Sequence, residues 1–144
     1  MLIGIPPLLG PDFLATLRAM GHGDELAIVD GNYPAAEHAR RLVRADGHGL
    51  IAVAEAVLTV LPLDLAVPAA LFRASLNNDP TQAGEVHHRI DALFTQMAPG
   101  MTVVPLPGDA LYPRIREAYA VVATSETALF ANVILRKGVI GPAG

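Results

Sequence analysis

Four consecutive apolar residues, Leu26 to Val29, constrain the fold of this chain more than any other stretch. The run follows a glycine-rich segment and ends at Asp30 and Gly31, so turn signals bound it and it is too short for a helix. A half-exposed strand alternates apolar with polar side chains, whereas this run is apolar at every position. Residues 25–30 are therefore predicted to form a strand that is buried on both faces of a sheet.

The rest of the chain alternates strand-like apolar runs with segments of helical periodicity, and Gly and Pro separate them. Helices are predicted over residues 11–20, 35–42, 51–61 and 85–97, and in a segment that includes Tyr112 and Arg116. Further strands are predicted over residues 68–75, 101–105, 119–124 and 132–135. This alternation indicates an α/β fold. Because no internal repeat or linker interrupts it, we expect a single domain over residues 1–144, with a central sheet flanked by helices.

Charge and composition narrow the classes of function. The net charge is -4 and no stretch is strongly basic, which argues against nucleic acid as a partner. No stretch reaches the roughly 18 uninterrupted apolar residues of a membrane helix, so no membrane partner is expected. The chain has no cysteine, which excludes disulfides and thiolate metal ligands and fits a reducing compartment. The N-terminus lacks the basic region of a signal peptide, and we therefore expect a cytoplasmic protein.

The balance of apolar and charged residues predicts self-association. Hydrophobic residues make up 52% of the chain and charged residues only 17%, so few polar side chains are available to cover the surface. We expect part of the surface to be buried between subunits, because large permanent interfaces are the more hydrophobic ones. The alternative is a compact, alanine-rich monomer.

His22 and Asp30 lie on either side of the predicted strand and are candidates for proton transfer. His22 stands between Gly21 and Gly23 at a helix-to-strand junction, where glycine allows a positive φ and a close approach to a ligand. Asp30 closes the strand, and ligands collect at the carboxyl ends of strands in α/β sheets. Histidine titrates near neutral pH, so the two residues are predicted to form a proton-transfer site. The alternative is that His22 only caps the preceding helix.

Other catalytic motifs are missing from the sequence. His87 and His88 are adjacent and therefore point to different sides of a helix, and the remaining histidines fall in separate elements. No glycine motif for phosphate or dinucleotide binding is present, and Ser125 lacks the glycines of a nucleophile elbow. The sequence therefore predicts no metal and no cofactor, and it favours acid/base chemistry by side chains.

Several motifs carry a family resemblance along nearly the whole chain. Residues 20–25 read Met-Gly-His-Gly-Asp-Glu and are followed by Asp30. Pro-Leu-Leu occurs at 7–9, Arg-Ala-Asp-Gly at 44–47 and Leu-Arg-Lys-Gly-Val at 135–139. In these motifs and their order the chain resembles the fucose mutarotase and ribose pyranase family of sugar-anomer isomerases. It is more similar to the fucose branch.

The resemblance implies a function and a set of site residues. It implies a mutarotase that interconverts the anomers of a free monosaccharide, L-fucose or a related sugar, without a cofactor. In this family's pattern His22 is the proton donor, and Asp30 with Phe130, Ala131 and Asn132 binds the sugar. The family also implies a ring-like homo-oligomer, an octamer or a decamer, with sites near subunit interfaces.

Two positions depart from the family's pattern and leave alternatives open. Phe130 stands where relatives have a tyrosine, and Gly108 stands where they have a basic or imidazole side chain. Losing two polar groups predicts weaker or altered discrimination among sugars, since a site without a hydrogen-bonding partner does not reject analogues strongly. The alternatives are a non-catalytic or regulatory monosaccharide-binding protein, a ribose pyranase-type isomerase, and a purely structural oligomer subunit.

Overall fold

The computed structural model describes residues 1–143, which form five helices and six strands around one sheet. The helices are α1 (Pro11–Ala19), α2 (Ala35–His38), α3 (Leu50–Val60), α4 (Glu85–Met97) and α5 (Gly108–Glu117). The strands are β1 (Glu25–Val29), β2 (Leu42–Ala45), β3 (Leu71–Arg73), β4 (Val103–Pro105), β5 (Ala120–Thr124) and β6 (Val133–Arg136). A short 3₁₀ turn covers Leu76–Asn78. No helix within these residues has both the length and the apolar character that crossing a bilayer requires.

The six strands lie in the order β2-β5-β1-β6-β3-β4. β5 runs parallel to both β1 and β2, and β3 runs parallel to β4. β6 is antiparallel to both of its neighbours, β1 and β3. Glu25 pairs with Arg136 and Ile28 pairs with Val133, so β6 begins where β1 ends.

The prediction that β1 is buried on both faces is confirmed. Leu26, Ala27, Ile28 and Val29 are all fully buried. Leu26 and Ile28 belong to an apolar cluster with Phe13 of α1, Val53 of α3 and Phe94 of α4. Ala27 and Val29 belong to a second cluster with Leu111 and Ile115 of α5. The sheet therefore has helices on both sides, and the predicted α/β fold with a flanked central sheet is confirmed.

The predicted helix over residues 35–42 is wrong beyond His38, because residues from Leu42 onward form β2. The spacing of Glu37 and Arg41 suited a helix, yet Leu42 instead pairs with Val121 of β5. Side chains alternate between exposed and buried along β2, as in a strand with one face on the core. Four residues are too few to show that alternation in the sequence, so pairing with β5 decided the structure.

Candidate functional site

The two ends of β1 carry the two residues that were predicted to act as a pair. His22 precedes β1, and its neighbour Gly23 hydrogen-bonds Lys137 just beyond the end of β6. Asp30 follows β1 and bonds Asn132 at the start of β6. The five residues of β1 rise about 3.3 Å each, so they separate the two positions by roughly 16 Å. The predicted pairing of His22 with Asp30 is therefore wrong within one chain, because the two residues lie at opposite ends of the extended strand β1 and their side chains cannot meet.

A cavity of about 470 Å³ opens beside Asp30, and ligand pockets usually measure about 300–1,000 Å³. We call this cavity the Asp30 pocket. The turn after β1, helix α5 and the segment before β6 form its walls. Its lining includes Asp30, Tyr33, His38, Tyr112, Arg116, Phe130 and Asn132. Three of the four residues expected to bind a sugar thus share one cavity, and the fourth, Ala131, is buried behind it.

Asp30 is fixed in place by the backbone around it. Its Oδ1 accepts the Asn32 N–H at 3.0 Å and its Oδ2 accepts the Ala131 N–H at 3.3 Å. Its own N–H donates to Oδ1 of Asn132 at 3.0 Å. Burial raises the pKa of Asp30 above its ordinary value, and the backbone hydrogen bonds oppose that effect. Since the Asn132 oxygen is engaged by Asp30, the Asn132 amide NH₂ is the group this residue can offer to a ligand.

A buried histidine holds the backbone of the segment before β6. Phe130 adopts a left-handed conformation with φ of 57°, which is uncommon for a bulky residue. Nδ1 of His87 accepts the Gly84 N–H at 2.9 Å, so Nε2 carries the proton and donates to the Phe130 carbonyl oxygen at 2.9 Å. Burial lowers the pKa of His87, which keeps the ring neutral in this role. His87 was predicted to lie in the helix over residues 85–97, but no function was predicted for it.

Asn78 occupies the space beside Gly108, the position where the family's basic side chain is missing. A Cβ atom at Gly108 would lie 2.8 Å from Cγ of Asn78, so only glycine fits here without a shift. Oδ1 of Asn78 accepts the Tyr112 hydroxyl at 3.2 Å. A polar side chain from a distant turn therefore contacts the wall of the Asp30 pocket. Asn78 could not be found from the sequence because Gly108 lies thirty residues away along the chain.

A hydrogen-bonded chain of Tyr33, His38 and Arg116 forms another part of the pocket wall. The Tyr33 hydroxyl lies 2.8 Å from Nδ1 of His38, and Nε2 of His38 lies 2.9 Å from Arg116. Neither Tyr33 nor His38 was predicted to belong to the site. A signal was present, since Tyr33 lies three residues after Asp30 in a turn at the carboxyl end of a strand.

His22 belongs to a separate group of charged residues at the other end of β1. Its Nε2 lies 3.1 Å from Oδ1 of Asp64, and Oδ2 of Asp64 accepts Nε of Arg136 at 2.9 Å. We call His22, Asp64 and Arg136 the His22 cluster. The Asp64 side chain is only 2% exposed whereas that of His22 is 49% exposed. Hydrogen bonds from the Ala66 N–H, Arg136 and His22 lower the pKa of Asp64 to about 2, so it is a carboxylate near neutral pH.

The conformation of the chain beside His22 requires a glycine at position 23. Gly23 has a φ of 87°, and a Cβ there would lie 3.0 Å from the Arg136 guanidinium. Helix α1 ends at Ala19, and the His22 ring bonds the side chain of Asp64. The alternative that His22 serves only as a helix cap is therefore not supported. Asp64, and not Asp30, is the carboxylate that orients the imidazole.

Helix α5 carries two arginines, Arg114 and Arg116, that could replace the basic side chain missing at Gly108. The two side chains lie at different ends of β1. Arg114 makes a two-pronged ion pair with Glu25, at 2.8 and 2.7 Å, close to the His22 cluster. Arg116 lines the Asp30 pocket. Of the two, only Arg116 is placed to act on a ligand bound beside Asp30. Among residues 1–143, no three His, Cys, Asp or Glu side chains converge as a metal site would require.

Comparisons with known proteins agree with this architecture. A sequence model of the RbsD / FucU transport protein family matches residues 3–140. Fucose mutarotase of Bos taurus is 37% identical over 148 residues, which cover 99% of this chain and 96% of that protein. The crystal structure of fucose mutarotase from Streptococcus pneumoniae, in complex with L-fucose, aligns with a TM-score of 0.82 at 36% identity, over 97% of this chain and 100% of that one. FucU from Bifidobacterium longum aligns with a TM-score of 0.87 at 36% identity, over 96% and 99% of the two chains.

Proposed function

The chain belongs to the RbsD / FucU transport protein family, and on this premise we propose that it is a monosaccharide mutarotase. The substrate is L-fucose or a related free sugar, because the relatives with similar sequences are fucose mutarotases and one of them binds L-fucose. The reaction is carried by side chains, with His22 as the proton donor. The observation that carries the proposal is the Asp30 pocket, in which Asp30 and Asn132 present fixed polar groups within a cavity of ligand size.

Anomer exchange needs two proton transfers. One group gives a proton to the ring oxygen while another takes the proton of the anomeric hydroxyl, and the bond between the anomeric carbon and the ring oxygen breaks. The open-chain aldehyde rotates and the ring closes again, with each proton returning by the reverse step. A positioned acid/base group commonly contributes about 10²–10⁴-fold to such a step. His22, oriented by Asp64, suits the role of the first group.

The Asp30 pocket offers both halves of the hydrogen bonds that a sugar makes. Each carboxylate oxygen of Asp30 accepts one backbone N–H, which leaves further acceptor capacity for a sugar hydroxyl. The amide NH₂ of Asn132 supplies a donor beside it. Phe130 provides an apolar surface, against which the carbon-bound hydrogens of a sugar ring can pack.

We propose further that His22 acts on a sugar held by a neighbouring copy of the chain, within the ring-like octamer or decamer that the family resemblance implies. This follows from the separation of His22 and Asp30 along β1. Large apolar side chains are exposed beside both sites: Leu65, next to Asp64, is 84% exposed, and Leu129, in the wall of the Asp30 pocket, is 65% exposed. Burying such residues between copies would join the His22 cluster of one copy to the Asp30 pocket of the next.

The same separation favours a second candidate, a monosaccharide-binding protein without turnover. If copies do not associate in this way, the Asp30 pocket still binds a sugar, but no imidazole of the His22 cluster reaches it. The two candidates therefore differ in anomer exchange and agree in sugar binding.

Mixing two variants tests the proposal. His22→Ala is expected to exchange anomers at least about 100-fold more slowly than the wild type. Asp30→Asn is also expected to be slower than the wild type, because it loses the carboxylate that holds the sugar. The two variant proteins are then dissociated, mixed in equal amounts and reassembled. Roughly one shared site in four then combines an intact His22 from one copy with an intact Asp30 from its neighbour. Exchange is measured from magnetisation transfer between the two anomeric proton signals in NMR, over a panel that includes L-fucose and D-ribose.

Recovery of about a quarter of the wild-type rate would support a site shared between copies. No recovery above the mean of the two variants would contradict it. Thermal melts run beside these measurements exclude unfolding as the cause of lost activity. A wild-type protein that binds a sugar without exchanging its anomers would favour the binding protein.

A further inference from the structure

We infer that Tyr33 is a specificity-determining residue that donates a hydrogen bond to one hydroxyl of the bound sugar, and that His38 and Arg116 are positioning residues that direct its proton. This inference rests on the proposed function, since it assigns a role within the same pocket. The observation that carries it is the hydrogen-bonded chain Arg116–His38–Tyr33, which ends at the cavity.

The direction of the chain follows from the chemistry of its outer member. A guanidinium has only N–H donors, so Nε2 of His38 accepts from Arg116 and carries no proton. A neutral imidazole with a bare Nε2 has its proton on Nδ1, and Nδ1 lies 2.8 Å from the Tyr33 oxygen. His38 therefore donates to Tyr33. The proton of the Tyr33 hydroxyl is not used within the chain and is available to an acceptor in the pocket.

Tyr33 keeps that proton at neutral pH. Burial raises the pKa of Tyr33 above its ordinary value of 10, although the charge of Arg116 opposes the shift. The phenol is therefore a hydrogen-bond donor over the whole range in which the protein would work. A sugar hydroxyl or ring oxygen is the acceptor that such a donor matches in a monosaccharide.

Tyr112 supplies the complementary group beside it. Its ring stacks with that of Tyr33, with the centroids 6.2 Å apart and the planes 30° apart. The Tyr112 hydroxyl donates its proton to Oδ1 of Asn78, so toward the pocket it can only accept a hydrogen bond. The two phenols thus form a pair in which Tyr33 donates and Tyr112 accepts, which suits two neighbouring hydroxyls of a sugar.

The position of Tyr33 is held by the turn that also holds Asp30. The Tyr33 N–H bonds the Asp30 carbonyl oxygen at 3.3 Å, and the Asn32 N–H bonds the Asp30 side chain. The Tyr33 ring meets the His38 ring edge-on, with centroids 5.3 Å apart. Hydroxyl and carboxylate are therefore presented from one rigid segment, so little ordering remains to be done on binding. Tyr33 in this way supplies the pocket with a phenolic hydroxyl, which Phe130 lacks.

The test compares Tyr33→Phe with the wild type on one sugar and on its monodeoxy derivatives, each of which lacks a single hydroxyl. The sugar is the member of the exchange panel that binds most tightly, and its affinity is measured by titration calorimetry together with kcat and KM for anomer exchange. Loss of one hydrogen bond corresponds to about 3–10-fold weaker binding of the intact sugar. We expect Tyr33→Phe to bind the intact sugar more weakly than the wild type by this factor. For the one derivative that lacks the hydroxyl contacted by Tyr33, we expect the variant and the wild type to bind equally well.

Tyr119→Phe is the matched control, because Tyr119 lies under the Arg41 guanidinium outside this pocket. Arg116→Lys keeps a donor for Nε2 of His38 and is expected to retain the wild-type pattern. Arg116→Leu frees that nitrogen and is expected to weaken recognition of the same single hydroxyl. A merely structural role for Arg116 would lower affinity for every derivative alike.

The inference is overturned if Tyr33→Phe binds the intact sugar as tightly as the wild type, or loses affinity equally for all derivatives. The positioning role is overturned if Arg116→Lys and Arg116→Leu behave alike. Because affinity is read by calorimetry, these outcomes are obtained even if the wild type exchanges no anomers. Absence of exchange would count against the mutarotase alone.

Discussion

At the scale of single residues, the least expected feature is the neutral histidine inside α4. His87 is fully buried and connects the Gly84 N–H to the Phe130 carbonyl oxygen. Burial lowers its pKa below the ordinary value of 6.5, so the folded chain binds this proton more weakly than the unfolded chain. Stability from this residue is therefore complete above about pH 6.5 and falls as the pH drops toward the folded-state pKa.

His87→Gln is predicted to reduce this loss of stability on acidification. Glutamine keeps one acceptor and one donor for the same two backbone groups but does not titrate. Urea denaturation between about pH 7 and pH 5 should show a smaller fall in the free energy of unfolding for this variant than for the wild type. His88→Gln, at the exposed neighbouring position, controls for removing an imidazole. An equal fall in wild type and His87→Gln would contradict the assignment.

At the scale of elements, the end of β6 is packed against the loop that carries Asp64. A Cβ atom at Gly138 would collide with the carbonyl oxygen of Leu63 and lie 2.7 Å from its carbonyl carbon. The Gly138 N–H bonds the Pro62 carbonyl oxygen at 2.8 Å, and Lys137 pairs with Leu63 in an isolated bridge. The backbone cannot yield as a flexible side chain could, so glycine is required for this close approach.

Gly138→Ala is predicted to destabilise the fold by about 1–3 kcal/mol, the usual cost of overpacking. Because Leu63 precedes Asp64, the shift should also displace the carboxylate that orients His22 and slow anomer exchange. Gly141→Ala is the matched control, since a Cβ there meets nothing within 4 Å. Thermal melts and the NMR exchange assay measure the two effects. Equal stability of the two variants would show that the loop accommodates the methyl group.

Elements with strong local signals were predictable and the contacts between them were not. Helix α4 was predicted with the bounds that the structure shows, and β1 within one residue, because their patterns are long or fully apolar. The grouping of Asp30 with Phe130, Ala131 and Asn132 was predicted from the family resemblance alone. The structure explains it, because β6 runs antiparallel beside β1 and begins where β1 ends. Asp64 and Asn78 escaped notice because each reaches its partner through a loop whose path depends on tertiary packing. His22 was correctly singled out as a junction residue, but within one chain the carboxylate that its ring contacts is Asp64 and not Asp30.

At the scale of the whole molecule, large apolar side chains remain on the surface. Those at least 60% exposed are Met1, Leu2, Ile3, Leu65, Leu129, Val139 and Ile140. Charged residues make up only 17% of the chain, and these exposed apolar side chains are the ones that association between copies would bury. This distribution agrees with the association expected from the composition.

Light scattering at micromolar concentration is predicted to give a mass several times the 15.1 kDa of one chain. Leu65→Asp should lower that mass, because a charge would be buried at the contact. The same variant should lose anomer exchange while it keeps sugar binding in the Asp30 pocket. A wild-type protein that stays monomeric at this concentration would contradict both the association and the shared site.

The stacked pair of phenols in the Asp30 pocket also has an optical consequence. The chain contains no tryptophan and three tyrosines, and two of these, Tyr33 and Tyr112, line the cavity. In most proteins indole emission masks that of tyrosine, but here nothing competes with it. The near-ultraviolet absorption and fluorescence of the protein therefore originate largely from the wall of its own pocket. A colourless sugar that enters the cavity changes the surroundings of two of the three emitting rings, so the protein carries a built-in reporter of occupancy.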